Sequence, residues 1–490
     1  MENKSLNVDN NIKQLVTQKY FLGLITRCKD EFFIIEFCDY YVSQGVDKIF
    51  VIDDDSNDKS IYNNINDHRV EIIYKKNIIE TNYANDLYKQ VKSDFTWMIY
   101  CDVDEFITTR RSIKNTIKDE LITTFKDVHC IKIPWVMMSC NLREKNPNSI
   151  LLENTYRWNH DKRHPHHKRK FRCRYDSIET KSIFKTNKFN SISDHHPFNR
   201  VGSNTGTTIV DSINKKKISL KRDTYGNLRE ADIEKGILVC YHYRIISKEN
   251  SINKLKTNLW YKTHGYTIDD LMSSDHAEII DETLKYKVID EKLKLVHITK
   301  TSGSYLEEIA RQKNLNWGKY DKYLKKAKLP NESNPSFWHL PLQFFDKYPY
   351  ESNTKLFTIV RNPYDRIISE CLCRWGGKFV KKMETKEDLN NYINIMVKNA
   401  SNLNFHHFMP QHLYTHNKNG VTVIDYIIKY EEMHKFNELM KDYLIDINYI
   451  ENKKDNKKFS VKDISIANIK LINEIYHLDF IYFNYEKIII

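Results

Sequence analysis

A short loop in the second half of the chain combines residue types that bind phosphate. It follows the apolar run KLVHIT and precedes a helical pattern, and its residues are Lys300, Thr301, Ser302, Gly303 and Ser304. Glycine lets a backbone bend close to an anion, a helix start offers N–H groups and a positive dipole end, and the lysine and the hydroxyls add donors. We therefore predict a phosphate-binding loop, with a simple helix cap at Ser304 as the alternative.

An arginine and a serine further along predict another phosphate site. Arg361 ends the apolar run KLFTIV, and Ser369 lies eight residues later, about two turns into the next helical pattern. An arginine fork together with a hydroxyl suits a second, separate phosphate. The alternative is an arginine that caps a turn and a helix serine that faces solvent.

Two carboxylates in the first half could hold a divalent cation. The apolar run FTWMIY leads into Asp102 and Asp104, which are separated by one residue. Such a D-x-D at a strand end can chelate a cation together with a diphosphate, as sugar transfer from a nucleotide sugar requires. An isolated D-x-D is also common on exposed turns, so a solvated acidic turn is the alternative.

The segments around these residues alternate between strand and helix patterns. In the first half FLGLITRC, VDKIFVI, VEIIYKK and FTWMIYCDVDEFI have strand patterns, and residues 30–45 have the pattern of a helix that ends at Gly45. In the second half a strand pattern precedes each phosphate loop and a helix pattern follows it. This alternation predicts an α/β protein with its sites at the carboxyl ends of the strands.

The length of 490 residues allows two or three domains. We expect a polar lead-in at 1–19, for which disorder is one interpretation, a first domain at 20–285 and a second at 290–490. Each domain is expected to hold a mainly parallel sheet flanked by helices.

The segments TRCKDEFFIIEFCDYYVSQGVDKIFVIDDDSND and WMIYCDVDEFI resemble the opening of family-2-like glycosyltransferases of the type A fold. The resemblance covers roughly residues 20–270. It implies Asp53 or Asp54 near the nucleotide base and ribose, and Asp102 and Asp104 near a Mn²⁺ or Mg²⁺ ion and the diphosphate. His242 resembles the late histidine that assists metal or diphosphate binding in this fold, with a core imidazole as the alternative. The chain departs from the family at TRCKDE, where the family has Arg-Asn-Glu.

The catalytic base of the first domain stays open. An inverting enzyme would use a carboxylate or a histidine to deprotonate the acceptor hydroxyl. Asp194, Glu179 and Glu105 are all available, and no sequence feature ranks them.

VHITKTSGS and VRNPYDRIIS together resemble the carbohydrate-modifying branch of the sulfotransferase superfamily, whose fold is P-loop-like. The two motifs occur in this order and about 60 residues apart, and the resemblance spans about residues 293–490. It implies 3′-phosphoadenosine 5′-phosphosulfate (PAPS) as the donor. The first loop would bind the 5′-phosphosulfate end, while Arg361 and Ser369 would bind the 3′-phosphate.

Sulfuryl transfer resembles phosphoryl transfer, an in-line displacement in which charge moves to the leaving phosphate. Lys300 would stabilise that oxygen. His339 is the candidate base, because a neutral imidazole can take a proton near pH 7; a packed structural role beside Trp338 is the alternative. His297 is expected to be structural, Glu431 is a weaker candidate base, and the step itself needs no metal.

The composition limits the remaining classes of function. No window of about 18 apolar residues predicts a transmembrane helix, and the first residues lack a signal-peptide pattern, so we expect a cytoplasmic protein, in the host cytoplasm if the source is a virus. The nine cysteines are scattered without paired CxxC motifs, which favours free thiols. The formal net charge of +12 and the basic clusters at 164–174 and 215–222 suit an anionic partner.

Together these observations predict a bifunctional enzyme that sulfates a glycan or glycoconjugate and transfers a sugar from a nucleotide sugar. One alternative is a sulfotransferase whose degenerate N-terminal domain binds the acceptor glycan. A less favoured one is a basic nucleic-acid-binding protein; otherwise no nucleic-acid partner is expected. The sugar donor, the acceptor hydroxyl, the stereochemistry and the oligomeric state are left open.

Overall fold

The structure is a computed structural model. It describes residues 18–76, 82–110, 115–162, 164, 178–201, 206–220, 224–226, 228–321, 324, 336–345, 348–350, 354–373, 383–400, 406–445, 447 and 458–490. Residues 1–17 of the expected lead-in, residues 165–174 and 221–222 of the basic clusters, and Cys173 lie outside the described residues. The chain divides into two compact units, Met1–Asp281 and Glu282–Ile490. The domain boundaries at 285 and 290 remain a prediction.

The first unit contains fourteen strands and eight α-helices in its described part. The strands are β1 (Tyr20–Cys28), β2 (Lys48–Asp54), β3 (Val70–Lys75), β4 (Phe95–Tyr100), β5 (Glu105–Thr109), β6 (Cys130–Ser139), β7 (Tyr156–Arg157), β8 (Ile178–Lys185), β9 (Phe189–Ile192), β10 (Pro197–Arg200), β11 (Ile209–Asp211), β12 (Thr224–Tyr225), β13 (Leu238–His242) and β14 (Ile279–Ile280). The helices are α1 (Ile34–Ser43), α2 (Tyr83–Val91), α3 (Ile117–Ile122), α4 (Ile150–Glu153), α5 (Glu230–Lys235), α6 (Lys248–Thr257), α7 (Leu259–Thr263) and α8 (Ile268–Met272).

The main sheet of the first unit has the order β14-β7-β6-β8-β4-β1-β2-β3. Strands β4, β1, β2 and β3 are parallel, which places their carboxyl ends at one edge of the sheet. Their central strands are almost wholly buried apolar runs, as expected for parallel strands covered on both faces. The α/β class and the parallel strands are as predicted, whereas β8 runs antiparallel to both β4 and β6, so the far half of the sheet is mixed.

Helix α1 holds the segment that follows β4. It ends as predicted before Gly45, whose φ of 87° is a conformation that glycine adopts without strain. The buried hydroxyl of Tyr41 donates to the carbonyl of Glu105 at 2.8 Å and accepts from the amide of Ile107 at 3.0 Å. These bonds fix the start of β5, and with it the turn that carries the D-x-D residues.

The second unit is built on a smaller parallel sheet. Its strands β15 (Leu293–Leu295), β16 (Lys355–Val360) and β17 (Tyr426–Lys429) lie in that order. Its helices are α9 (Thr283–Lys292), α10 (Gly303–Gln312), α11 (Pro363–Cys371), α12 (Lys386–Ala400), α13 (His412–Thr415), α14 (His434–Asp442), α15 (Ile466–Ile475) and α16 (His477–Tyr482). The strand predicted before the first phosphate loop is therefore present but stops after three residues, and α10 and α11 start where the two motifs place them.

The described cysteines are free thiols, as their scattered spacing predicts. There are eight of them, and all but Cys373 are buried. Burial raises the pKa of the Cys28 thiol to about 12, so this side chain is an inert part of the core. Among the described residues, no helix combines the length and the apolar character needed to cross a bilayer.

A buried ion network ties the end of the first unit to its sheet. The carboxylate of Asp281 accepts from Arg110 at 2.7 Å, from Arg157 at 2.8 Å and from the hydroxyl of Tyr241 at 2.9 Å. Arg157 is 2% exposed and also pairs with Glu230 at 2.7 Å. Buried guanidinium groups are tolerated only with such partners, so the network depends on the Asp281 carboxylate.

Replacement of this carboxylate should destabilise the first unit strongly. We expect Asp281→Asn to cost about 3–5 kcal/mol, because it leaves two buried arginines short of negative charge. Urea unfolding, with hydrogen exchange of β7 and β13 as the probe, measures the loss of unfolding free energy. Glu234→Gln is the matched control, because Glu234 also pairs with Arg110 but its own side chain is 62% exposed. This variant should change the free energy of unfolding by less than about 0.5 kcal/mol. Equal stability of the two variants would contradict the role assigned to Asp281.

Candidate active sites

The loops after β1 and β2 are joined by hydrogen bonds at the edge of the first sheet. Asp53 is fully buried, and its carboxylate accepts from the amide of Ser56 at 3.3 Å and from the hydroxyl of Tyr62 at 2.6 Å. Asp30, with a φ of 53°, accepts from the amide of Asn57 at 2.6 Å. In this structure the carboxylate of Asp53 stabilises its own turn, while Asp54, at the very end of β2, is half-buried. The nucleotide contact of either aspartate remains a prediction.

The D-x-D turn lies between β4 and β5 and is surrounded by cations. The carboxylate of Asp102 accepts from Arg27 at 3.0 Å and from Lys181 at 3.0 Å. The carboxylate of Asp104 accepts from Lys254 at 2.8 Å. Burial alone would raise the pKa of each carboxyl, but the cations outweigh it and hold the pKa of both below the usual range.

Two of these cations were not found by sequence reasoning. Arg27 is the next-to-last residue of β1 and belongs to the segment that resembles glycosyltransferases, but Lys181 and Lys254 carried no signal in a lysine-rich chain. Lys181 lies on β8 and is 2% exposed, and β8 is the antiparallel strand that the sequence pattern did not place. Lys254 lies on α6, about 150 residues after the aspartate it contacts.

The three carboxylates that are candidates for the base of the first unit have different surroundings. Glu105 is fully buried and accepts from the amide of Asp102 at 2.9 Å and from Lys181 at 3.1 Å. Burial raises its pKa to about 8 against the attraction of Lys181. Glu179 lies 3.8 Å from the ring of His195. Asp194 is 3.2 Å from Arg27, and with its side chain 54% exposed it is the one that solvent reaches most freely.

The residues predicted to hold a metal converge only in part. Nε2 of His242 is 3.7 Å from the Asp104 carboxylate, and its ring packs on Trp135 with centroids 4.2 Å apart. Burial lowers the pKa of His242 to about 4, so the ring is neutral at neutral pH, as a ligand must be. Asp102, in contrast, faces Arg27 and Lys181. A divalent ion held by all three residues would therefore have to displace Lys254 and one cation of Asp102.

In the second unit, the first phosphate loop has an unusual backbone. Lys300 and Ser302 adopt left-handed conformations, with φ of 61° and 75°, and α10 begins immediately afterwards. The hydroxyl of Thr301 donates to the carbonyl of Ile298 at 2.7 Å, inside the loop. Ser304 is exposed in the first turn of α10, where backbone N–H groups lack partners within the helix.

Gly303 is needed for a reason that differs from the expected one. It is not among the glycines with positive φ; instead, a Cβ at this position would lie 1.4 Å from Nε2 of His297. Nδ1 of His297 in turn lies 3.2 Å from the carboxylate of Glu307 on α10. The glycine thus makes room for a buried imidazole that fastens α10 to the strand end, which agrees with a structural role for His297.

Arg361 brings the second motif against the first. Its guanidinium donates to the carbonyl of Lys300 at 3.2 Å and lies over the ring of Tyr430 at 4.4 Å. Gln411 holds the Arg361 backbone on both sides, accepting from its amide at 2.9 Å and donating to its carbonyl at 2.8 Å. Ser369 is half-buried on α11.

Arg366, the other arginine of the second motif, connects the segments that surround this site. Arg366 is 1% exposed and donates to the carbonyls of Thr299 at 3.1 Å, His407 at 2.8 Å and Met409 at 2.8 Å. One side chain therefore joins the start of the phosphate loop, helix α11 and the segment that precedes α13. Sequence reasoning missed this role, although Arg366 is part of the motif it quoted.

His339 belongs to a group of histidines. Its ring packs edge-on against His297 with centroids 4.4 Å apart, and it lies 5.6 Å from His406 and 6.0 Å from His407. Burial, and then the neighbouring imidazoles, hold the pKa of His339 well below 6.5. The other candidate base, Glu431, accepts from the amide of Asn362 at 3.2 Å and from the hydroxyl of Tyr485 at 2.7 Å, so it caps the second motif.

Comparisons with known proteins bear on the two units unequally. A comparison with curated proteins gives no match. Among solved structures, 4-diphosphocytidyl-2C-methyl-D-erythritol synthase from Anaerococcus prevotii DSM 20548 is 12% identical with a TM-score of 0.19, covering 34% of this chain and 71% of that one. HddC from Yersinia pseudotuberculosis is 11% identical with a TM-score of 0.22, covering 44% and 98% respectively. Neither likeness is close enough to support an argument about the first unit.

The second unit matches a family model. Residues 289–486 match Sulfotransfer_2, the model of a sulfotransferase family. The matched range includes both phosphate motifs, with the buried Arg366 of the second, and the histidine group. The C-terminal part of the chain is therefore similar to a sulfotransferase family over this range.

Proposed function

We propose that the second unit transfers a sulfuryl group from PAPS to a hydroxyl of a carbohydrate. The observation that carries this proposal is the 3.2 Å hydrogen bond from Arg361 to the carbonyl of Lys300, which sets the two anion-binding motifs side by side. A donor with phosphates on both sides of its ribose needs two such groups close together. The family match supports sulfate transfer as the reaction.

Each residue of the second unit's site has a separate role in the proposed reaction. The acceptor oxygen attacks sulfur, its proton passes to an imidazole, and the bond from sulfur to the bridging phosphate oxygen breaks with its electrons on that oxygen. Lys300 and the N-terminus of α10 stabilise the charge on the leaving phosphate. His339 receives the proton, because burial among other imidazoles keeps it neutral. Arg361 and Ser369 hold the 3′-phosphate.

For the first unit, we infer a site for a nucleoside diphosphate sugar. The specific observation is the set of charged groups at the turn that follows β4. Arg27 and Lys181 contact Asp102, and Lys254 and His242 lie beside Asp104. With a divalent cation on the carboxylates, the two released cations could bind diphosphate oxygens. The alternative, a unit that only binds the acceptor glycan, predicts no binding of nucleoside diphosphates.

Removal of either of the two anion-binding side chains should strongly slow sulfate transfer without unfolding the protein. We expect Lys300→Ala to lower kcat about 10²–10³-fold, because one stabilising group at the leaving oxygen is lost. Arg361→Ala should lower kcat/KM for PAPS about 10–100-fold through the lost phosphate contact. Transfer of labelled sulfate to a glycan panel, with calorimetry of 3′-phosphoadenosine 5′-phosphate binding, measures both. Arg311→Ala is the control, since among the described residues this arginine of α10 pairs with exposed Glu308; wild-type turnover by Lys300→Ala would refute the assignment.

The pH profile should reveal the base. His339 must be neutral to accept a proton, and its pKa lies well below 6.5, so transfer should persist below pH 6.5 and fall only at more acidic pH. The measurement is kcat/KM from about pH 5 to about pH 8, where His339→Gln should lose about 10²–10⁴-fold. Unfolding is followed in parallel, because buried neutral histidines destabilise the fold as pH drops below the unfolded pKa. Half-loss of activity near pH 6.5 without unfolding would argue against His339.

Nucleoside diphosphates should stabilise the first unit in a metal-dependent way. We expect uridine or guanosine diphosphate with Mn²⁺ to raise the melting temperature of the first unit, because the ligand binds only the folded state. Asp104→Asn should remove this shift, whereas Asp269→Asn, at an exposed position of α8, should keep it. Stabilisation by 3′-phosphoadenosine 5′-phosphate serves as the internal comparison. A shift with that ligand alone would favour the glycan-binding alternative.

A further inference from the structure

Three imidazoles of the second unit lie close together, although the proposed sulfate transfer uses one of them. Each of His339, His406 and His407 offers a ring nitrogen, and these three nitrogens all lie within 4.8 Å of one another. The rings of His406 and His407 are adjacent, with centroids 4.5 Å apart. One imidazole is enough for a general base, so the other two need a separate explanation.

The backbones that carry these rings are held in place. The hydroxyl of Tyr414 donates to the carbonyl of His339 at 2.7 Å. The carbonyl of His407 accepts from Arg366 at 2.8 Å and from the hydroxyl of Thr299 at 3.2 Å. Two chain segments that are far apart in sequence are thereby fixed opposite each other, which is the preorganisation that a ligand site needs.

The hydrogen bonds of the rings also suit a metal site. Nδ1 of His407 lies 2.9 Å from the carboxylate of fully buried Glu370. A carboxylate behind a histidine is the usual outer partner of a metal-binding imidazole. Nδ1 of His339 is buried and has no hydrogen-bond partner among the described residues, and a buried polar atom of this kind calls for an unseen partner.

The donor set points to one class of ion. Three imidazole ligands without a carboxylate suit Zn²⁺ or Co²⁺ rather than Mg²⁺ or Ca²⁺. With bonds of about 2.0–2.1 Å, tetrahedral coordination needs the nitrogens roughly 3.3 Å apart, so small ring rotations would close the set. The overlapping group of His297, Glu307 and His339 is less suitable, because the Glu307 carboxylate already accepts from His297 and from the amide of Lys319.

We propose that His339, His406 and His407 form a three-histidine site for a zinc-class divalent cation, with a fourth position for water or another ligand. The site does not depend on the donor nucleotide of the second unit. It has one consequence for the proposed reaction: an ion bound to His339 withdraws that imidazole from proton transfer. Zinc should therefore inhibit sulfate transfer reversibly.

The test is metal binding by the full-length protein with Co²⁺ or Zn²⁺ alone as the probe. Wild type should bind Co²⁺ with the intense visible bands of a tetrahedral site, and should hold one more equivalent of Zn²⁺ than His406→Gln or His339→Gln. Each variant should bind that equivalent at least 100-fold more weakly, and a chelator should reverse both signals. Binding of 3′-phosphoadenosine 5′-phosphate shows in parallel that each variant is folded.

Two controls locate the ion. His434→Ala, an exposed histidine of α14, should leave the bands unchanged. Asp104→Asn should also leave them unchanged, since an ion at the D-x-D would have mainly oxygen ligands and weaker bands. The proposal is overturned if wild type shows no tetrahedral Co²⁺ spectrum, or if the His406→Gln and His339→Gln variants keep it. Either result leaves nucleotide binding, and so the proposed sulfate transfer, to be judged by its own experiments.

Discussion

A buried charge needs an opposite charge or several hydrogen bonds, and this constraint shapes both units. In the first unit, Lys181 stands between the carboxylates of Asp102 and Glu105 at the carboxyl edge of the sheet. In the second, the guanidinium of Arg366 is surrounded by backbone carbonyls and the hydroxyl of Thr299. Both cations are nearly inaccessible to solvent, so removing either would leave its partners uncompensated.

The same constraint positions the groups that we propose to contact the substrates. Because Arg366 fixes Thr299, the phosphate loop starts from a rigid point, and Lys300 can adopt a left-handed backbone that costs free energy on its own. The contact of Arg361 with the Lys300 carbonyl then joins the two motifs. In the first unit, the cations around the D-x-D turn keep both aspartates ionised, which either a metal or a cationic group on a ligand would require.

The local features of the fold were predictable because their signals are local. Apolar runs of strand length predicted β1, β2, β4 and β16, and the helix ending before Gly45 followed from the freedom of glycine at positive φ. The strand before the first phosphate loop proved shorter than its apolar run, since the sheet pairs only Leu293–Leu295. Strand β8 was missed because antiparallel pairing with β4 and β6 depends on partners distant in sequence.

The site residues divide along the same line. Lysine, glycine and arginine in two spaced motifs were enough to indicate phosphate binding, and the sulfotransferase family match covers both motifs. The sequence did not indicate why Gly303 is needed, since the reason is the His297 ring pressed against it. Nor did it indicate that His406 and His407 meet His339, because about 67 residues separate them along the chain and only the packing of two short segments unites them.

The sequence by itself therefore determined the residue chemistry: two loops whose residue types suit anions, an acidic turn after a buried strand, and an α/β alternation that places each at a strand end. Tertiary structure alone decided which charges neutralise one another and which imidazoles share a pocket. The physical reason is that apolar periodicity and turn propensity act over a few neighbouring residues. Compensation of buried charge acts through space, between residues such as Lys254 and Asp104 that no local pattern connects.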